Sequence, residues 1–345
     1  MRAAVYRGPG AIAIEDVPEP ADPGPGELLI AVEKAAICGT DASEWAHGPL
    51  LARPPVVLGH EFVGRVVAVG AGVVSPAAGD RVVSGSGVSC GRCAWCVAGR
   101  TNLCADYSTL GLHVDGGLAE KVRAPAAICR VVPAAVPDLA AAMAQPLAVA
   151  LHAVRRSGLR RGDSCVVIGV GGIGAFALAG AKERGAAPLV AVDVDPGRLE
   201  TAEKLGATVL VDAGSAEVVE AVLAATDGEG AAVVLEASGV SANPGVALRA
   251  ARRGGSIVVI GLQAAPVPLD LFRLSVQEVD LHGTLAHVCA VDLGDALDLL
   301  ATNPSLAEAV LDREIPLDDL VEGGIRRLAE GRATGKIVVQ VGGAR

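Results

Sequence analysis

At 345 residues the chain is long enough for two domains with substantial cores. It carries 29 Lys+Arg against 39 Asp+Glu, a net charge of -10, and only 2 % aromatic residues, which argues against nucleic-acid binding. Residues 1–10 hold a Gly-Pro pair and two arginines instead of a long apolar run, so no secretory signal is expected; eight cysteines then point to reduced thiols and metal in a cytoplasmic protein.

The first third is rich in Gly, Pro and short valine runs at 28–32, 62–69 and 81–84, with Pro23-Gly24-Pro25-Gly26 as a turn before a strand. Short β-type runs between turn residues predict an irregular β-rich domain. Two groups in it carry chemistry: Cys38-Gly39-Thr40-Asp41 and Gly59-His60-Glu61. Alone, His60 reads as a hydrogen-bonded structural histidine. Beside a thiol, a carboxylate and a dinucleotide fold further on, it becomes a candidate ligand. Three protein ligands with one open position make a Lewis-acid zinc site. Trp45 and Phe62, each close in sequence to a ligand, are either pocket walls or core.

Cys90, Cys93, Cys96 and Cys104 follow in the pattern C-x2-C-x2-C-x7-C. Four thiolates at this spacing predict a tetrahedral zinc cage whose closed coordination shell holds structure and does no chemistry.

From about Gly162 strands alternate with helices: β-branched runs at 164–168, 189–192, 208–211, 232–235 and 256–260, and alanine-rich segments at 173–184, 198–205, 216–225 and 244–251. This rhythm predicts a doubly wound parallel sheet. The uncharged stretch 165–181 contains five glycines and is too short and broken to span a membrane. It carries Gly169-Val170-Gly171-Gly172-Ile173-Gly174 between a strand and a helix, the setting in which G-x-G-x-x-G cradles a pyrophosphate. Asp193 ends the next strand, nineteen residues past Gly174, where a carboxylate accepts from ribose hydroxyls and repels a 2′-phosphate. Arg198 pulls the other way, toward a 2′-phosphate, and the balance favours NAD over NADP. Ser238 and Gly261 lie just past the ends of later parallel strands, where a dinucleotide binds. After 281 the alternation fades, and the tail at 335–339 reads as a strand returning to the first domain. Cys129, Cys165 and Cys289 lack partners at metal spacing and read as small buried residues.

With C-G-T-D at Cys38, G-H-E-F at Gly59, G-D-R-V at Gly79, the four-cysteine lobe, D-G-G-L-A-E at Asp115, Q-P-L-A-V at Gln145 and G-V-G-G-I-G at Gly169, the chain resembles the zinc-dependent medium-chain alcohol dehydrogenases over essentially its whole length. The pattern is nearest to the polyol, butanediol and threonine branch. The resemblance implies a GroES-like catalytic domain (1–147 and 282–345) and a Rossmann domain (148–281). It also implies catalytic zinc on Cys38 and His60, with Glu61 a ligand in the polyol branch and an outer group in some relatives. Thr40 matches the hydroxyl that takes the substrate proton. The implied reaction passes hydride between a secondary alcohol, diol or polyol and NAD in a homodimer or homotetramer.

Two positions depart from that pattern. Gln145 stands where the branch usually has glutamate, so the inner zinc with Cys38 thiolate and Glu61 carboxylate has a formal charge of zero. A less negative site lowers the pKa of bound alcohol or water, so Gln145→Glu is expected to move the alkaline limb of kcat/KM upward, unless Gln145 only hydrogen-bonds a water. Ser43 stands where many relatives place a histidine in the proton relay. Serine is no base near neutral pH, which leaves water or nearby His47 for proton exit. A biosynthetic reductase of C=O, C=N or C=C bonds on the same fold is the alternative within enzymes. A zinc-ribbon regulator on nucleic acid is the alternative outside them, disfavoured because only Arg92 and Arg100 flank the lobe.

Overall fold

The computed structural model describes residues 1–263 and 265–342. It divides into two compact units, Met1–Ala148 with Ala286–Arg345, and Val149–Leu285.

In chain order the elements that place the sites begin with β1 (Glu27–Ala36), α1 (Gly39–His47), β2 (Glu61–Val69), β3 (Arg81–Ser84), β4 (Lys121–Pro125) and β5 (Cys129–Val131). Helix α2 (Ala144–Arg156) precedes β6 (Cys165–Ile168), α3 (Gly172–Glu183), β7 (Leu189–Asp193), β8 (Val209–Asp212), β9 (Ala231–Glu236), β10 (Ala251–Val259) and β11 (Asp280–Gly283). The chain ends in β12 (Leu311–Pro316) and β13 (Lys336–Gln340).

The first unit is built on a mixed sheet ordered β5-β3-β2-β1-β13-β12, with β4 also pairing β1. Long β1 alternates buried and half-buried residues, as a strand with one face on a core must. Its register with β2 sets Ala36 opposite Glu61, so the residues just past the end of β1 and just before β2 emerge together. The C-terminal strand β13 lies antiparallel to the other edge of β1, with Val338 opposite Ala36.

The second unit is a six-stranded parallel sheet ordered β8-β7-β6-β9-β10-β11, whose strand order reverses between β6 and β9. Strands β6, β7 and β9 are buried at every position, which explains their unbroken β-branched runs: helices cover both faces. Val166, Ile168, Val190, Val192, Val234 and Ile257 belong to one continuous core. The predicted doubly wound sheet is therefore present. Sequence reading missed β11, four residues with no hydrophobic run, and placed the start of β10 five residues late, past a register irregularity between Ala231 and Val233. No helix among the described residues is long and apolar enough to cross a membrane.

Candidate functional site

Cys38 caps α1. Its sulfur accepts the Thr40 N–H at 3.5 Å, while the Asp41 carboxylate accepts the Cys38 N–H at 3.0 Å, a reciprocal capping pair that fixes the thiol at the helix entrance. Gly59 takes φ +101°, and a Cβ there would lie 2.4 Å from the backbone nitrogen of Leu118. Only glycine can make this turn, which delivers His60 and Glu61 to the mouth of β2. Cys38, His60 and Glu61 each bring a ligand atom to within 4.8 Å of the others. Thiolate, imidazole and carboxylate at this separation suit a zinc ion with one further coordination position.

The surrounding charges support that set. His60 is buried with Nδ1 3.8 Å from Asp41 Oδ1, close enough for charge interaction though beyond hydrogen-bond reach. Burial alone would lower the imidazole, but the Cys38 thiolate and Asp41 raise it to about 10. Burial pushes the Asp41 carboxyl up, opposed by His60. Sequence reading missed Lys336, the first residue of β13. Its buried ammonium pairs with Glu61 and donates to the Ile37 carbonyl at 2.7 Å. The zero charge counted from Cys38, Glu61 and zinc therefore omitted one adjacent cation. The sequence signal was a lysine opening a strand that continues with the core residues Ile337, Val338 and Val339.

The remaining predicted residues are spread more widely. Thr40 is half-buried on α1 and Ser43 and His47 are exposed; their spacing puts all three on one helical stripe. Gln145 is buried on α2 and donates through Nε2 to Ser86 Oγ at 3.0 Å. Continuing the β2·β3 register beyond its ends sets Ser86 across from His60. Phe62 is core: it fills the space where a Cβ on Gly117 would lie, 2.3 Å from its ring. Trp45 is half-buried under the Arg326 guanidinium, 5.6 Å from the ring centre.

The sulfurs of Cys90, Cys93, Cys96 and Cys104 also lie within 4.8 Å of one another. Cys93 and Cys96 are 3.6 Å apart, close to the roughly 3.8 Å edge of a tetrahedron around zinc. The Cys104 sulfur accepts the N–H groups of Cys90 at 3.2 Å and Asp106 at 3.3 Å. Backbone N–H groups of Ala105 and Cys96 draw the Cys93 thiol down to about 6, whereas burial and neighbouring sulfurs push Cys96 up to about 11. Four thiolates cannot share this volume without a cation, so the donor set fits zinc. Burial pushes Cys129 and Cys165 up to about 12 and Cys289 up to about 11, leaving them protonated.

In the second unit, Gly169 follows β6 with φ +86°, and a Cβ on it would lie 2.7 Å from Ser238 Cα. A Cβ on Gly174 would lie 1.8 Å from the Gly169 carbonyl. Gly171 caps α3, with Gly172 and Ile173 in its first turn. Asp193, at the end of β7, accepts the Val170 N–H at 2.7 Å, Val194 at 2.8 Å and Asp195 at 3.0 Å. Arg198 Nη1 lies 3.7 Å from its Oδ1. Gly169, Gly171, Asp193, Arg198 and Ser238 line a cavity of about 240 Å³. Gly172, Ile173, Gly174 and Gly261 lie outside that lining; the last packs on Gly239, where its Cβ would come within 2.3 Å of a backbone nitrogen.

Comparison with known proteins agrees with this geometry. The alcohol dehydrogenase GroES-like domain family matches residues 24–134 and the zinc-binding dehydrogenase family matches residues 172–302. Sorbitol dehydrogenase of Bacillus subtilis is 34 % identical over 288 residues, 82 % of this chain and 81 % of that protein. The crystal structure of 2R,3R-butanediol dehydrogenase from Bacillus subtilis superposes with a TM-score of 0.90 at 30 % identity, covering 99 % of each chain. A zinc-binding dehydrogenase from Sinorhizobium meliloti, bound to NADP, superposes with a TM-score of 0.90 at 33 % identity over 98 % of each chain. With this agreement in fold and family domains, the chain belongs to the zinc-type alcohol dehydrogenases, oxidoreductases that act on CH–OH groups.

Proposed function

We propose that the chain oxidises a secondary alcohol, diol or polyol with NAD, releasing a ketone, NADH and a proton. The observation that carries this reading is the convergence of Cys38, His60 and Glu61 beside the α1 stripe bearing Thr40. Zinc held there supplies a Lewis acid for the substrate oxygen. Asp41 sets a negative charge beside the His60 imidazole, and Lys336 holds Glu61. Thr40 accepts the substrate proton, which leaves along the stripe toward exposed Ser43 and His47. Gln145, tied to Ser86, presents a neutral amide where a carboxylate would add charge. Cys90, Cys93, Cys96 and Cys104 hold a second, structural zinc.

Asp193 lines the dinucleotide cavity, where its carboxylate opposes a 2′-phosphate and favours NAD. Arg198 in the same cavity, together with the NADP-bound relative, supports NADP as the second reading. The protein works in the cytoplasm on a small molecule. It assembles as a homodimer or homotetramer. A panel of diols, polyols and amino alcohols with NAD and NADP, run with metal analysis and repeated after chelation, tests the reading. Chelator-sensitive oxidation with a higher kcat/KM for NAD is expected. Reduction of C=C or C=N bonds that survives loss of the inner zinc would replace it with the reductase alternative.

A further inference from the structure

The loop leaving β9 lines the dinucleotide cavity through Ala237, Ser238 and Val240, and the loop leaving β10 packs against it. They touch backbone to backbone: a Cβ on Gly261 would lie 2.3 Å from Gly239 N, and one on Gly239 would lie 3.1 Å from the Leu262 carbonyl oxygen. Glu236, the last residue of β9, ties the two together and is 0 % exposed. Its carbonyl accepts the N–H groups of Ile260 at 2.7 Å and Gly261 at 3.0 Å. Its Oε1 accepts the Ser238 N–H at 2.9 Å and also the Ser238 hydroxyl, while Oε2 accepts Gln263 Nε2 at 3.5 Å. Ser238 Oγ, its single proton given to Glu236, accepts from Val240 N at 3.1 Å and Asn243 Nδ2 at 2.8 Å. The hydroxyl is thereby fully used as a strut.

Among the described residues, every donor to the Glu236 carboxylate is neutral. A carboxylate buried among neutral dipoles keeps a field that a paired one would lose. In a doubly wound sheet the dinucleotide straddles the point where strand order reverses, here between β6 and β9. The glycine turn and Asp193 serve the half over β6 to β8. The nicotinamide half then belongs over β9 to β11, where Glu236 ends its strand. The nicotinamide ring is positively charged when oxidised and neutral when reduced.

Resting on the dinucleotide reading above, we propose that Glu236 is a positioning residue of the cofactor site whose buried charge biases that site toward the oxidised cofactor. Fluorescence titration of the zinc-loaded chain with NAD+ and NADH reads the bias as a ratio of dissociation constants. Glu236→Gln keeps the shape and removes the charge. It should raise Kd(NAD+)/Kd(NADH) about 10-fold, the scale of one charge interaction in a partly screened interior, with NADH moving less than about 2-fold. Gln263→Lys, which sets an ammonium beside Oε2, should move the ratio in the same direction with Glu236 intact, and decides the matter if Glu236→Gln does not fold. Ser238→Ala removes a strut and should weaken both forms alike. An unmoved ratio in the two charge variants overturns the proposal, as does an equal movement in Ser238→Ala. If the parent chain binds neither form, the dinucleotide reading itself falls, and this inference with it.

Discussion

The four-cysteine lobe and the Cys38–His60–Glu61 cluster both gather metal ligands, by opposite routes. The lobe takes all four from residues 90–104, with local backbone N–H groups aimed at its sulfurs. The inner cluster needs the end of β1, the start of β2 and, behind Glu61, a lysine 275 residues away in sequence. The lobe's coordination is complete in itself, so it can only hold shape. In the function proposed above, the inner set would supply three ligands and leave one position for substrate.

Removing one ligand from each cluster tests that division. Cys38→Ser should lower kcat/KM by about three orders of magnitude or more, with zinc falling from about two to about one per chain and little change in Tm. Cys96→Ser should instead lower Tm by about 5–15 °C while the surviving folded enzyme keeps kcat/KM within about 10-fold. Melting curves, metal analysis and steady-state kinetics on both variants decide; equal losses of activity in the two would end the distinction.

The long-range support of the inner cluster can be broken separately. Lys336→Met strands the Glu61 carboxylate in the interior, so the chelated form should lose about 3–5 kcal/mol, and the zinc-loaded form less, because the metal supplies the missing charge. Denaturant titrations with and without chelator measure the gap; equal losses would mean that Lys336 serves packing alone.

A smaller effect lies further out, at Asp312. This residue is the extra one where the β12·β13 register shifts between Leu311 and Arg313. It accepts Arg327 Nε at 3.0 Å, and the Thr334 N–H at 3.1 Å and hydroxyl at 2.8 Å, two residues before Lys336. Burial alone would raise its carboxyl, but Arg327 and Thr334 hold it down to about 2. Because the folded value lies below the unfolded one of about 3.9, its stabilisation is complete above that pH and vanishes as pH falls toward about 2. Asp312→Ala should cost about 1–3 kcal/mol near neutral pH, and the difference from the parent should shrink across that acid window in pH-resolved melts.

The same contrast explains what could be read beforehand. The lobe, the glycine turn and the buried strands of the parallel sheet were legible because their causes are local: ligand spacing, φ > 0 at glycine, unbroken β-branched runs. Asp193 was legible for the same reason, at the end of a recognisable strand. Lys336 and Ser86 behind Gln145 were not, since each acts on a residue far from it in sequence. The edge strand β11 escaped because Asp280, His282 and Gly283 leave Leu281 as its one apolar side chain. Phe62 sat beside a ligand in sequence yet packs against Gly117, because alternation along β2 turns it away from the residue before it.

By itself the order of residues determined the ligand types, the cofactor turn and the family of reactions, because metals and pyrophosphates select chemical groups at short, fixed spacings. Tertiary structure alone decided which charges face those groups: Lys336 behind Glu61, Asp41 beside His60, neutral donors around Glu236. Electrostatic interaction depends on distance in space and on burial, and neither can be read from separation along the chain.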